Sequence, residues 1–186
     1  MKMIPFPNKK YNIIYADPAW EFKSSIYQDS SRGFKKKLEN YYSTMPKEEI
    51  KNLPVKEIAN EDCILFLWTT DSHLPEALEV INSWGFKYKT IGFTWIKQYK
   101  SGSYCYNFGA YTLKSTEICL IGLKGKLKNI KKSNNIKGLV FAERTVHSKK
   151  PDRIRNDIVQ LCGDLPRIEL FARQKTEGWD CWGNEV

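Results

Sequence analysis

Short apolar runs separated by polar segments are the feature that most limits how this chain can fold. The first run, YNIIYA, is apolar on both faces, as strands buried in a parallel sheet are. Five further runs also have strand length. The six predicted strands cover residues 11–16, 63–69, 90–96, 115–123, 138–143 and 167–172.

Helical patterns occur between these strands. Apolar residues at helical spacing over 74–84 predict one helix, with Gly85 in the C-cap position and Asp71 or Ser72 as its N-cap. The segment MPKEEIKNL (45–53) predicts a shorter helix with a proline in its first turn.

Another helix is predicted to open at Pro151 and to end at Gly163. Its apolar face is formed by Ile154, Ile158, Leu161 and Cys162. The tail, residues 178–186, is expected to be loop-like.

Strands that alternate with helices or long loops, with no repeat and no linker, predict one α/β domain over residues 1–186. Its sheet is expected to be mostly parallel and doubly wound. Ligands bind such sheets at the carboxyl ends of the strands. Asp17 and Trp20 follow the end of one strand, and the residues after ELFAR follow the end of another. We therefore expect both groups at the same ligand-binding edge of the sheet.

Composition excludes several classes of protein. The 186 residues suffice for one core, and 41% apolar with 13% aromatic residues argues against disorder. No run is long enough to span a membrane and the start lacks a secretory signal, so we expect a cytoplasmic protein. The five cysteines form no C-x-x-C pair, which favours buried free thiols over disulfides or a metal site.

The formal net charge of +9 favours a nucleic-acid partner, although charge also serves solubility. Lysines cluster at 35–37, at Lys97 and Lys100, and in the segment 124–137, which has six lysines and no acid. Lys131 and Lys132 of that segment are candidate phosphate contacts. The alternative is a solvated loop.

The stretch IIYADPAW (13–20) contains the candidate catalytic residues. Proline cannot extend a central strand, so Asp17-Pro18 must turn out of the sheet. The Asp17 carboxylate and the Pro18 carbonyl are two acceptors, and Trp20 offers a flat face for a base. Together they suit an exocyclic amine such as adenine N6. The alternative is a strand-end cap beside a core tryptophan.

In seven blocks the chain resembles the MT-A family of adenine-N6 methyltransferases, which includes the catalytic subunit of the messenger-RNA N6-methyladenine writer and bacterial and phage homologues. The similarity covers nearly the whole chain in the family's order. The blocks are ADPAW, YYSTMPKEEI, ILFLWTT, INSWGFKYKTIGFTWIK, STEICLIGLKG, HSKKPDRI and RIELFARQKTEGWDCWGNEV.

This resemblance implies a circularly permuted Rossmann-like class I fold, with the catalytic motif ahead of the cofactor strand, and S-adenosylmethionine as methyl donor. It implies that Asp17 and Pro18 hold the target amine, with Asp17 also near the donor's amino group, while Trp20 walls the adenine and Tyr42 lies on the substrate side. Lys150 would pair with the donor's carboxylate. The remaining implied cofactor residues are Glu169, Phe171, Arg173 and Asn184, and His147 is either a ligand contact or a polar partner of its loop.

Two departures from the family pattern are visible. Ala19 replaces the usual second proline of the motif, and only sixteen residues precede Asp17. We therefore expect the pocket for the cofactor's adenine to be made from the first ten residues, the tail or a partner chain.

The sequence thus predicts transfer of a methyl group to adenine N6 in nucleic acid, with DNA favoured over RNA by family analogy. The loops at 21–40 and 98–111 are candidates for gripping the strand, and a homo- or heterodimer is possible. No membrane partner is expected. The alternative is a catalytically silent, nucleic-acid-binding subunit of a hetero-oligomer.

Overall fold

A seven-stranded sheet forms the centre of the molecule. The computed structural model describes residues 4–21, 44–109, 111–145 and 149–186. The strands are β1 (Tyr11–Ala16), β2 (Ala59–Thr69), β3 (Lys87–Gln98), β4 (Thr116–Lys124), β5 (Leu139–Glu143), β6 (Arg167–Leu170) and β7 (Asp180–Trp182). The helices are α1 (Lys47–Asn52), α2 (Val55–Ile58), α3 (Leu74–Ser83) and α4 (Arg153–Cys162).

The strand order is β5-β3-β4-β2-β1-β6-β7. Strand β4 runs antiparallel to both of its neighbours, and every other neighbouring pair is parallel. The prediction of a mostly parallel sheet is therefore confirmed, and each of the six predicted strands is present. Circular permutation stays a prediction, because it is a relation between two chains that one strand order does not reveal.

Two apolar layers cover the two faces of the sheet. Successive residues of a strand point to opposite faces, so Ile14 of β1 packs with the α1–α3 layer and Ile13 with the α4 layer. The indole of Trp84 donates a hydrogen bond to the carbonyl of Ile50 at 2.8 Å, which ties the end of α3 to α1. This two-sided covering confirms the doubly wound arrangement.

The predicted N-cap of α3 is wrong. Asp71–His73 form a 3₁₀ turn, and the N-cap residue His73 makes no side-chain cap hydrogen bond. Asp71 instead forms an ion pair with Lys114 at 2.5 Å. The C-cap residue is Trp84, one position before the predicted Gly85, and Gly85 follows it with φ +83°, a conformation that favours glycine.

The tail is more ordered than predicted. Asp180–Trp182 extend the sheet as β7, parallel to β6, and the Trp182 ring lies 4.5 Å from that of Phe6 and 5.6 Å from that of Phe171. The sequence pattern of the tail did not predict this strand, because the strand is only three residues long. Helix α2, of four residues, was also not predicted.

Four of the five thiols, those of Cys63, Cys105, Cys119 and Cys162, are buried and free, and Cys181 is free and half-buried. Burial raises the pKa of Cys63 and of Cys162 to about 12, so both are inert thiols at neutral pH. Among the described residues no helix is long and apolar enough to cross a membrane. The same residues contain no cluster of side chains placed to hold a metal ion.

Candidate active site

Three charged side chains from distant parts of the chain meet at the carboxyl edge of the parallel strands. Asp17 is the first residue after β1, and Lys150 precedes α4. Glu117 stands at the start of β4, and this antiparallel strand begins at the edge where its neighbours end. The topology thus brings together residues more than thirty positions apart.

Lys150 joins the two carboxylates. Its Nζ lies 2.7 Å from both oxygens of Asp17 and 3.1 Å from Oε2 of Glu117. It also lies 5.6 Å from the ring centre of Trp68. Glu117 is held in turn by an ion pair with Lys97. The Lys150 side chain is 9% exposed and that of Asp17 is 23% exposed, so this network is sheltered but open to solvent at Asp17.

The pKa values of these three groups are shifted in different directions or for different reasons. Burial raises the pKa of the Asp17 carboxyl and the Glu117 charge adds to it, while Lys150 opposes the shift. Burial acts in the same sense on Glu117, but attraction to Lys150 and Lys97 outweighs it and lowers the pKa of that carboxyl. Burial disfavours the Lys150 ammonium, yet Asp17 and Glu117 overcome this and raise its pKa. Of the two carboxylates, Asp17 is therefore the one that takes up a proton more readily.

The turn after Asp17 is tightly hydrogen-bonded. The Pro18 carbonyl accepts the N–H of Trp20 at 2.9 Å, and the Ala19 carbonyl accepts that of Met45 at 2.9 Å. A carbonyl oxygen has two lone pairs, so Pro18 retains the capacity for one more hydrogen bond. These two backbone hydrogen bonds hold the turn in place although position 19 is alanine and not the second proline usual in the family motif.

Trp20 belongs to the core and is 6% exposed. Its Nε1 donates to the carbonyl of Trp68 at 3.1 Å, and its ring stacks on His73 with centroids 5.8 Å apart. These contacts brace the turn against the end of β2. Stacking of a substrate base on this indole stays a prediction.

A cavity of 220 Å³ opens beside Asp17. Its lining residues are Tyr15, Asp17, Lys149, Lys150, Arg155, Glu169, Phe171, Arg173, Gln174 and Glu185. Five of the six residues predicted to bind the cofactor are among them, and Asn184 is exposed next to lining residue Glu185. Phe171 has φ +61°, a strained conformation for a residue with a side chain, and it directs the chain sharply out of β6.

Arg155 supports the floor of this cavity. Its guanidinium donates two hydrogen bonds of 2.7 Å to the Glu169 carboxylate and lies 5.8 Å from the ring centre of Tyr15. Arg155 is 8% exposed and Glu169 is 6% exposed, so the pair is buried. The pairing occupies both Glu169 oxygens and holds the end of β6 against α4.

Sequence reasoning assigned no role to Glu117 or Arg155, and it assigned Lys97 to a basic cluster for a nucleic-acid partner rather than to an ion pair with Glu117. A signal for Glu117 was present, because it is a lone acid in the apolar run of β4. Arg155 interrupts the apolar side of α4 between Ile154 and Ile158, which also marks it.

Other predicted site residues lie away from Asp17 or outside the described residues. The N–H of Lys132 donates to the carbonyl of Leu161 at 2.8 Å, at the end of α4 opposite to Lys150. Ten residues of helix separate these ends, about 15 Å. The structure therefore does not bring the exposed Lys131 and Lys132 to the mouth of the site. Tyr42, His147 and most of the loop at 21–40 fall outside the described residues.

Comparison with known proteins gives a consistent result. The chain is 37% identical over 191 residues to the type II methyltransferase M.MunI of Mycoplasma sp, a match covering 97% of this chain and 79% of that protein. It is 28% identical over 192 residues to the mouse N(6)-adenine-specific methyltransferase METTL4, covering 96% of this chain but 38% of that protein. A third relative is the Arabidopsis thaliana N6-adenosine-methyltransferase non-catalytic subunit MTB, 30% identical over 123 residues, which cover 64% of this chain and 15% of MTB. The MT-A70 family model matches residues 11–185, and the chain belongs to the MT-A70 family.

Proposed function

We propose that this chain, acting as a single domain in the cytoplasm, transfers a methyl group from S-adenosylmethionine to the N6 amine of adenine in DNA. Membership of the MT-A70 family and similarity to M.MunI over most of both chains make the protein an adenine-N6 methyltransferase. The donor, the nucleic acid and the role of each side chain are parts of the proposal.

The observation that carries the proposal is the pairing of Asp17 with Lys150 at the mouth of the cavity. A buried ammonium fixes the carboxylate in one orientation, and the exposed part of Asp17 remains able to accept hydrogen bonds from a substrate. A fixed acceptor lowers the cost of positioning the amine in the reacting arrangement.

The lining of the cavity fits S-adenosylmethionine in its chemistry. Lys149 and Lys150 are cations for the donor's carboxylate, and Asp17 is an anion for its amino group. Phe171 offers an apolar face, and Arg173 and Glu185 offer polar groups for the ribose hydroxyls, with the neighbouring Asn184 in reach of the same end. The volume of 220 Å³ is below the roughly 300–1,000 Å³ typical of ligand pockets, so the lining described accounts for part of a donor site.

When bound, the donor supplies an electrophilic methyl group attached to a sulfonium. Asp17 accepts one N–H of the adenine amine, and the Pro18 carbonyl accepts the other through its remaining lone pair. These two bonds favour the pyramidal amine, in which the nitrogen lone pair is available for attack.

The methylated amine must lose one proton. Asp17 lies in contact with the amine in this arrangement, and its raised pKa makes it a suitable acceptor. Lys150 stays charged and keeps Asp17 in place, and Glu117 keeps Lys150 in place. In this scheme Asp17 binds the amine and receives the proton, while Lys150 and Glu117 position Asp17.

DNA is proposed because the bacterial type II methyltransferase matches this chain at higher identity and over more of its own length than METTL4 does. The net charge of +9 suits either nucleic acid. A catalytically silent subunit is the second candidate, since MTB is named a non-catalytic subunit. The intact Asp17–Lys150 pair favours the enzyme. A homodimer or heterodimer remains compatible with either function.

The test uses the full chain with methyl-labelled S-adenosylmethionine and DNA or RNA of matched sequence. After digestion to nucleosides, we expect the label in N6-methyl-2′-deoxyadenosine. Label in N6-methyladenosine from the RNA arm alone would contradict the DNA proposal. Binding of DNA without transfer to either nucleic acid would support the silent subunit.

A further inference from the structure

The connection between β3 and β4 carries the most exposed aromatic side chains among the described residues. Phe108 is 85% exposed and Tyr111 is 99% exposed, and Tyr99, Tyr104 and Tyr106 are each about half exposed. We call residues 98–109 and 111–114 the aromatic hairpin. Large exposed apolar patches on a protein surface mark interaction sites.

The aromatic hairpin has a defined base. Asn107 and Lys114 exchange two backbone hydrogen bonds of 2.7 and 2.8 Å, so Phe108 and Tyr111 lie in the loop that this pair closes. The buried Cys105 donates its N–H to the carbonyl of Lys97 at 2.8 Å and anchors the other side. The exposed rings of Phe108 and Tyr111 therefore lie at the tip of a hairpin whose base is held by backbone hydrogen bonds.

The base of the hairpin stands beside the candidate active site. Lys114 forms an ion pair of 2.5 Å with Asp71, directly beyond the end of β2. Three residues further along the chain, Glu117 contacts Lys150, which contacts Asp17. Three extended residues span at most about 10 Å, so the hairpin rises from the rim of the cavity that holds Asp17.

The charge of the hairpin favours a polyanion. Residues 97–115 contain no acidic residue and three lysines, of which Lys97 pairs with Glu117 and Lys114 with Asp71, while Lys100 is exposed to solvent. Arg144 adds a further cation, donating to the side chain of Asn107 at 3.3 Å. Aromatic rings among cations are the combination with which proteins stack on bases while contacting the phosphate backbone.

An adenine inside a duplex cannot reach Asp17 while it stays paired and stacked. Enzymes that modify a base turn the nucleotide out of the helix, at a cost of unstacking and unpairing. Apolar side chains inserted at a base step offset part of that cost. A flat ring on the rim of the site is suited to fill the space that the base leaves.

We propose that Phe108 and Tyr111 insert into duplex DNA at the target step and hold it open while the adenine occupies the site at Asp17. This inference rests on the proposed function and adds the two residues that hold the duplex open around the target adenine. The rings act by stacking, so the Tyr111 hydroxyl is dispensable.

The test uses a duplex containing an adenine that the wild type methylates, mapped first on unmethylated DNA. Single-turnover rates are compared for this duplex and for one with an abasic site opposite the same adenine. Stacking is worth about 1–3 kcal/mol per base, so the Phe108→Ala/Tyr111→Ala variant should be slowed roughly tenfold to hundredfold on the paired duplex. On the abasic duplex its rate should return to within about threefold of the wild type. Tyr111→Phe should keep the wild-type rate on both.

The matched control is Tyr88→Ala, which removes a half-exposed ring near the opposite end of β3 and should change neither rate. Tyr111→Ala alone serves if the double variant does not fold. Unchanged rates on the paired duplex, or equal slowing on both duplexes, would overturn the proposal. So would sedimentation showing a wild-type dimer that the double variant dissociates, because the rings would then bind a second copy. Failure of the wild type to methylate any DNA would instead refute the proposed function.

Discussion

The ammonium of Lys150 lies 2.7 Å from the carboxylate of Asp17, although 133 positions separate them in the chain. The contact links the residue that follows β1 to the segment that leads into α4. Glu117 accepts from the same ammonium at 3.1 Å. Two carboxylates thus share one buried cation, and together with burial this sharing affects the ionisation of Asp17.

Glu117→Gln should move the acid limb of the pH profile of kcat/KM to lower pH. Asp17 must be ionised to accept the amine, so activity falls as the pH drops through its pKa. Burial first, and then the Glu117 charge, raise that pKa, while Lys150 lowers it. Removing the Glu117 charge lowers the pKa of Asp17, because the repulsion between the two carboxylates is lost.

The control for this profile is Glu79→Gln, which removes an exposed carboxylate paired with Lys47 and Lys51. Its acid limb should match that of the wild type. A Glu117→Gln profile displaced to higher pH would contradict the sign of the coupling.

Lys150→Met should lower the free energy of unfolding by about 3–5 kcal/mol, the usual cost of leaving a buried charge without its partner. Lys150→Arg keeps the charge and should lose less. Urea denaturation at neutral pH measures both. Equal stability of Lys150→Met and the wild type would show that the ion pair contributes nothing to folding.

Arg155→Met should destabilise the protein by a similar amount, because Glu169 would remain buried without a cation. Adding Glu169→Met should recover much of the loss, since apolar residues often replace a buried pair at little cost. A double-mutant cycle in urea provides the measurement. Strictly additive losses from the two substitutions would exclude coupling between them.

Lys131→Ala/Lys132→Ala should weaken DNA binding across sequences and reduce the salt slope of log Kd by about two, as expected for two phosphate contacts. The single-turnover rate on saturating DNA should stay at the wild-type value, because Lys132 lies at the end of α4 remote from Lys150. Lys56→Ala, an exposed lysine on the other face of the sheet, is the control. An unchanged salt slope would show that Lys131 and Lys132 do not contact the DNA phosphates.

The fold was accessible from the sequence wherever a segment was long and apolar. Strands such as β2 and helices such as α4 follow from their own patterns. Strand β7 did not, because three residues carry no periodicity and its pairing depends on the free edge of β6. The start of α3 was also mispredicted, since Asp71 pairs with Lys114, a residue that only the folded chain brings near.

The site was accessible in part. The turn at Asp17 and Pro18 could be predicted because a proline at a strand end leaves few alternatives. Glu117 was missed because its role depends on β4 being antiparallel, and single-strand patterns do not encode direction. The close packing of Trp20 on His73 also depends on tertiary structure.

The central claim is that the Asp17 carboxylate binds the amine that is methylated. Asp17→Asn keeps the size of the side chain and removes its charge, and its single-turnover methyl transfer to saturating DNA tests the claim directly. We expect a rate at least about a hundredfold below the wild type, in the range for loss of a positioned acid–base group, with DNA affinity retained. A rate within about threefold of the wild type would contradict the account.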